Sequence, residues 1–496
     1  MAGMNRRHVL AGGASLSAFL PMVSACAPSR ASSATGPDET MDGTRMAQLI
    51  AAGEISALDT VNAAIDRAIA VEPQINAIAS ETYDAARAEA LLGPTGTLAG
   101  VPSFTKDLND RLGEPTLFGS RAFRGYIAPE DAPISAAWRR AGIVSLGKST
   151  TPEMGLTSTT EPLVTGATRN PWNLDHIVGG SSGGAAALVA ARVVPFAHAN
   201  DGGGSIRIPA SCCGLFGLKP SRQRLHGRVA EDPRAIDLAV DHAVTLTVRD
   251  SVALFRLAER RDGPYQPLGA ITGPSDRRLR IGVAPDPITD AVLDPEVGDE
   301  LERTARLCER LGHDVVDVRL PFDGERFMDR FLLVWAGGAA AFADAASDFS
   351  GQPVGPDILE PWTLGLAEMF MARQDALPAA IDGLKAFETQ YNAIFDEIDV
   401  LLTPTLTRPA DPIGYQSPTL PFETAMERVT SFAAYTGLMN VAGAASMSVP
   451  LGMSRAGLPI GSMFSAKQGD DGLLFALAYE LERARPWFDK TPQLLA

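Results

Sequence analysis

Ser205 follows three consecutive glycines, Gly202-Gly203-Gly204, and a second serine pair, Ser181-Ser182, stands 24 residues earlier inside Gly179–Gly184. A hydroxyl on a turn of glycines suits nucleophilic attack on a carbonyl. No Cβ keeps the substrate away, and consecutive N–H groups of such a turn can point at an oxygen as it becomes negative. Each such donor is worth roughly 3–4 kcal/mol of barrier when removed singly. A serine nucleophile also needs a base. The six histidines are scattered, and none stands in a recognisable triad motif. Lys106 is a candidate, because it ends the run Val101-Pro102-Ser103-Phe104-Thr105-Lys106, a Pro–aromatic strand that aims it at a core. A lysine accepts a proton only when uncharged, and burial favours that form. Amide or ester hydrolysis through an acyl-enzyme is the chemistry these residue types support. One rival keeps the same chemistry: Gly179-Gly180-Ser181-Ser182-Gly183 matches G-x-S-x-G, with Ser181 as nucleophile and a downstream histidine, but it leaves Ser205 and Lys106 without a role.

Two further matches are set aside on local grounds. Gly142–Ser149 fits the phosphate-loop pattern G-x-x-x-x-G-K-[ST], yet its four intervening residues, Ile-Val-Ser-Leu, are an apolar strand, and Pro152 interrupts the helix that should follow. Ser145-x-x-Lys148 fits a serine–lysine motif whose S-D-N and K-T-G companions are missing.

The elements that must position these residues follow from periodicity. Helical spacing runs from Thr44 to Ala70, with Ser56 as the N-cap of a second helix. A short strand begins at Asn76-Ala77-Ile78, and Tyr83 to Leu92 is helical. Ala136 to Gly142 is a helix and Ile143 to Leu146 a strand. Small residues from Gly184 to Arg192 make a helix between the two serine sites, followed by the apolar run Val193 to Ala199. Residues 221–275 are polar and proline-containing and read as loops and short helices. Strand Leu279–Ala284, amphipathic helix Asp294–Leu311 and strand His313–Val318 make a parallel unit. Residues 323–400 are mostly helical, and their aromatics, Trp335 and Trp362 among them, read as core or as substrate-facing. A strand at Asp399–Thr405, a helix at Ser431–Asn440, paired strands at Ser446–Gly452 and Pro459–Phe464, and a helix at Gly469–Arg483 close the chain.

GGSSGG (179–184), GGSIRIPA (203–210) and CGLFGLKP (213–220) together resemble the amidase signature family of serine hydrolases. GTLAGVPSFTKDLND, DVLLTPT and ASMSVPLGMSRAGLPIGSMF extend the resemblance over most of 41–496. HANDGGGSIRIPASCCGLFGLKPSR is more similar to the 6-aminohexanoate cyclic-dimer hydrolase branch than to the glutamine-releasing branch. The resemblance implies one α/β domain over 41–496, a mixed twisted β-sheet core covered by α-helices on both faces. It implies Ser205 as nucleophile, Ser181 as a bridging serine after a cis peptide bond, and Lys106 as base. It further implies Gly202, Gly203 and Gly204 at the oxyanion hole, Ser182 as an auxiliary hydrogen-bonder, and Asp201 and Arg207 as supports of the nucleophile loop. Gly202 replaces the usual threonine of D-T-G-G-S, which is expected to leave room beside the oxyanion hole. Val178 stands where many members have proline.

Composition bounds the partners. The 496 residues are 45% hydrophobic, ordinary for a globular protein, and carry a net charge of −16. That sign argues against nucleic acid or an anionic membrane as the main partner; a small-molecule amide substrate is what the resemblance implies. No C-x-x-C or H-E-x-x-H occurs, so neither metal nor cofactor is expected. Arg6-Arg7 before a short apolar run to Ala25 reads as a twin-arginine export signal over 1–27. Val23-Ser24-Ala25-Cys26 resembles a lipoprotein box, with Cys26 as the lipid anchor, and Ala25-Cys26-Ala27 offers a competing cleavage pattern. Residues 28–40 are small and polar, a tether, and the expected location is the periplasm or the membrane surface. Such a leader also suits a solute-binding lipoprotein, which needs no Lys–Ser–Ser set.

Overall fold

Small residues decide the centre of the molecule. Gly183–Ala190, GGAAALVA, forms a helix with all eight residues buried. An apolar helix without a polar face can only sit in a core. Its first turn lies against backbone: a Cβ on Gly184 would stand 2.3 Å from Thr150 Oγ1 and 2.4 Å from Thr150 N, so only glycine fits. The computed structural model describes residues 41–227, 236–492 and 494. The export-signal, lipid-anchor and tether readings fall on 1–40, outside the described residues.

An eight-stranded mixed sheet packs against this helix at one edge. In spatial order its strands are Asp314–Asp317, Arg280–Val283, Val400–Pro404, Pro459–Ser465, Ser446–Met453, Phe216–Lys219, Val240–Thr245 and Phe196–Asp201. The first three run parallel, and every later pairing is antiparallel. Alternation sorts side chains to two faces. Val400 and Leu402 join one core with Phe216, Leu218 and the helices Val248–Ala258 and Asp471–Ala484, whereas Leu401 and Met463 join another with the helices Gly324–Ser350 and Leu377–Ala393. The central helix and the helix Ala57–Ile75 share a further core with Val244 and Ala197. This is the expected α/β architecture, a twisted mixed sheet with helices on both faces.

A second, three-stranded sheet carries the lysine. Its order is Ile78–Glu81, Val144–Ser149, Pro102–Lys106, with the last two parallel and Lys106 opposite Ser149. Ser103 Oγ donates to Phe196 O (2.9 Å), which ties the lysine strand to the edge of the large sheet. The phosphate-loop match lies on the strand Val144–Ser149, with Lys148 buried and donating to Asn109 O and Thr116 Oγ1, as the apolar spacing required.

The two helices expected at the start of the domain are Gly43–Ala51 and Ala57–Ile75, the second opened at Ser56 by a capping box with Asp59. Two expectations need correction. Residues 221–275 contain a full sheet strand, Val240–Thr245, and an eleven-residue helix, Val248–Ala258 capped by Thr247. Polar residues hid the strand: Asp241 and His242 interrupt its alternation, and His242 is satisfied in the core by Ser251 Oγ at 2.9 Å. The helix expected at Ser431–Asn440 is broken into Phe422–Phe432 and Gly437–Val441. At the break Thr436 Oγ1 donates to Gly203 O, so a tertiary bond to the glycine turn before Ser205 overrides local propensity.

Candidate active site

The lysine strand, the start of the central helix and the end of the strand Phe196–Asp201 converge. Lys106 is wholly buried, and its Nζ lies 2.7 Å from Ser181 Oγ, 2.9 Å from Ser182 Oγ and 2.7 Å from Asn200 Oδ1. The peptide bond between Gly180 and Ser181 is cis. Burial pushes the Lys106 ammonium down to about 7, against an upward pull from the Asp201 and Asp241 carboxylates.

The three contacts can hold the amine in its neutral form as well as its charged one. Asn200 Oδ1 only accepts, and Ser182 Oγ gives its own proton to Asn200 O (3.2 Å), so it too accepts from Nζ. A neutral amine has two N–H groups, and these two acceptors take both. Its lone pair is left for the Ser181 hydroxyl. Asn200 is therefore part of the site, though the motifs did not single it out. The signal was period two: His198 and Asn200 lie on one face of their strand, with the Lys106 amide 3.3 Å from His198 Nδ1 and Nζ on Asn200. Asn200→Asp places a carboxylate on the amine and raises the Lys106 pKa by roughly 1–2 units. The rising limb of the kcat/KM profile then moves to higher pH, with about tenfold lost at pH 7 and recovered near pH 9. An unmoved limb in the pH–rate profile would remove Lys106 as the titrating group.

Ser205 sits at the end of the glycine turn, 6% exposed and facing a cavity it shares with Ser181. Its carbonyl accepts from Ser182 N (3.3 Å), which locks the two serine turns together. Asp201 organises the turn. Its carboxylate accepts from Gly204 N (2.7 Å), Ile206 N (3.1 Å), Arg207 Nε (3.0 Å) and Arg207 Nη2 (2.9 Å). Asn440 Nδ2 adds a bond at 2.8 Å, and Asn440 Oδ1 accepts from Arg207 Nη2. Burial alone would raise the Asp201 carboxyl. The Arg207 guanidinium more than reverses this and holds it well below the usual carboxylate range.

Two expectations about the turn change in detail. Gly204 N–H is already given to Asp201, whereas among the described residues the N–H groups of Gly202 and Gly203 have no partner. Gly204 is needed for its conformation: φ is +135°, and a Cβ there would meet Thr436 Oγ1 at 2.4 Å. The room expected beside Gly202 is taken by Trp335, since a Cβ on Gly202 would stand 3.2 Å from the indole. Trp335 and Trp362 both donate Nε1 to Leu156 O (3.1 Å each), and both line the cavity at Ser205. Among the described residues no cluster of three metal-ligating side chains occurs.

Comparison with known proteins agrees with this geometry. The Amidase family model matches residues 59–475. The chain is 42% identical over 455 residues to AmiC of Mycobacterium tuberculosis, covering 90% of this chain and 95% of that one. It is 36% identical over 495 residues to the 6-aminohexanoate-cyclic-dimer hydrolase of a Pseudomonas species, covering 92% and 97%. The solved structure of 6-aminohexanoate cyclic dimer hydrolase complexed with substrate superposes with a TM-score of 0.85 at 33% identity, covering 92% of this chain and all of that one. With a buried lysine on a cis-linked serine, a glycine-turn serine beside them, and a family match across most of its length, the chain belongs to the amidase signature family, serine hydrolases that cleave amide C–N bonds.

Proposed function

We propose that Ser205 is the nucleophile of an amidohydrolase and that Ser181 and Lys106 carry its proton. Ser205 Oγ bonds to the substrate carbonyl carbon as its proton passes to Ser181 Oγ and the Ser181 proton to neutral Lys106 Nζ. The oxyanion takes N–H bonds from Gly202 and Gly203. The intermediate collapses by breaking C–N. Lys106 returns its proton through Ser181 to the leaving nitrogen, and the amine departs. Water then attacks the Ser205 ester, one proton travels the same relay, and it returns to Ser205 Oγ as the carboxylic acid leaves and ionises. Ser182 and Asn200 hold the lysine, and Asp201 and Arg207 hold the turn.

The observation that carries this reading is the fully buried Lys106 Nζ, 2.7 Å from Ser181 Oγ and held by Ser182 Oγ and Asn200 Oδ1. A fluorophosphonate tests it: the adduct forms on Ser205, is absent in Ser205→Ala, and forms about 10²–10³-fold more slowly in Ser181→Ala. An adduct on Ser181 instead would restore the G-x-S-x-G reading. Related proteins are named for a cyclic amide, which supports a small amide as substrate here.

We also infer export, supported by Arg6-Arg7 and the lipobox-like Val23–Cys26. Its test is the mass of the mature N-terminus: an acylated Cys26 fits the anchor, cleavage after Ala27 fits a free periplasmic enzyme, and an uncleaved chain in the cytosol would end the reading.

A further inference from the structure

Ser205 stands where two cavities meet, and the two differ in chemistry. One is walled by Ile208, Phe331, Trp362, Met426 and Val429. The other adds Asn109, Asn200, Asp237 and Asp241 to apolar walls that include Phe118, Met154 and Leu238, and is the roomier, at about 380 Å³ against about 70 Å³. Trp335 and Leu156 line both and form the partition. Ser181 lines the polar cavity, whereas Gly180 and Gly203 line the apolar one.

This arrangement orients the substrate. Ser181 hands its proton to the nitrogen that leaves, so that nitrogen must come within hydrogen-bond reach of Ser181 Oγ. The amine portion then occupies the polar cavity and the acyl portion the apolar one.

Among the described residues, the charged side chains that line the polar cavity are acidic. Asp237 and Asp241 line it, and among the described residues no lysine or arginine does. Lys106 lies behind Ser181 and Asn200 and is uncharged when it acts as base. Asp241 Oδ1 accepts from Asn109 Nδ2 at 2.8 Å and lies 3.2 Å from His198 Nε2. Among the described residues Asp241 Oδ2 has no hydrogen-bond partner, and the side chain is only 13% exposed. A carboxylate drawn out of bulk water attracts a cation, and repels an anion, more strongly than an exposed one.

Resting on the amidase reading, we propose that Asp241 is a specificity-determining residue. The preferred substrates are amides of an apolar acid with an amine that bears a second, protonated nitrogen, a mono-acylated diamine, whose ammonium pairs with Asp241. Amines bearing a carboxylate are disfavoured.

Four amides test this near pH 8: benzoylcadaverine, its neutral analogue pentylbenzamide, benzoylated ε-aminocaproate, and the benzylamide of δ-aminovaleric acid, an isomer of the first with the amide reversed. Benzoylcadaverine should exceed pentylbenzamide in kcat/KM by about tenfold and the anionic amide by more, and should exceed the reversed isomer by about tenfold. Asp241→Asn should bring the cationic-to-neutral ratio close to one, mainly through KM, and Asp241→Glu should restore part of it. The neutral amide controls for the effect of Asp241 on Lys106. Equal rates on cationic and neutral amides, a faster reversed isomer, or an equal loss on both in Asp241→Asn would overturn the inference and leave the amidase reading standing. So would failure to cleave benzoylcadaverine while Ser205 still reacts with fluorophosphonate. No turnover of any amide together with no labelled serine would overturn both.

Discussion

Lys106→Met should fold, lose about 10³–10⁴ in kcat/KM, and melt no lower than the wild type at pH 7. The loss follows from removing the proton acceptor, since a positioned base contributes roughly 10²–10⁴ and among the described residues no second base touches Ser181. The stability follows from the desolvation of the ammonium. Burial moves Lys106 from 10.5 to about 7. Between those values the unfolded chain binds a proton that the folded chain releases, so wild-type stability rises with pH across that window, by about 1.4 kcal/mol per pH unit. Below pH 7 the full penalty is present. Methionine removes it and leaves Asn200 Oδ1 without its donor, a loss of about 1–3 kcal/mol that is smaller than the relief. Thermal midpoints from pH 6 to 10 check this, and the difference between wild type and variant should shrink as pH rises. A midpoint well below the wild type at pH 7 would mean that the lysine is a structural cation. Lys219 is the control. It is also buried and pushed to about 7, yet it donates to Pro220 O, so Lys219→Met should keep the rising limb of the pH–rate profile.

Asp201→Asn should do the opposite to stability. Asp201 and Arg207 are both fully buried, and their two-point pair is reinforced by Asn440. Removing one partner leaves a guanidinium charged in the core, a loss of about 3–5 kcal/mol. The same carboxylate fixes Gly204 N and Ile206 N, so the nucleophile turn loosens with it. Urea unfolding should show the loss of stability, and kcat should fall at least tenfold even in the fraction that stays folded. The contribution of Asp201 is complete above the ordinary carboxylate range, because its folded pKa is depressed, and it fades only as pH falls through that lowered value. A variant that kept both stability and kcat would show that Asn440 alone can hold the turn.

Much of the frame was legible because it is local. The strands read at 101–106, 279–284 and 399–405 are present at 102–106, 280–283 and 400–404, and Ser56 caps the helix expected after it. Where polar residues sit inside the core, as Asp241 and His242 do, local pattern reads a loop and the sheet contradicts it. Lys106, Ser181 and Ser205 were found one at a time by their motifs.

The sequence by itself determined which groups are present: a strand-borne lysine, two glycine-flanked serines, and a buried Asp–Arg pair six residues apart. Only the tertiary structure decided what they touch. Asn200 meets Lys106 across 94 residues, Thr436 reaches Gly203 across 233, and Trp335 fills the space that Gly202 leaves. Residue type and backbone periodicity are properties of neighbours in the chain. The protonation of a buried lysine and the sign of charge in a cavity depend on side chains brought together from distant segments by packing, so they are settled only when the chain has folded.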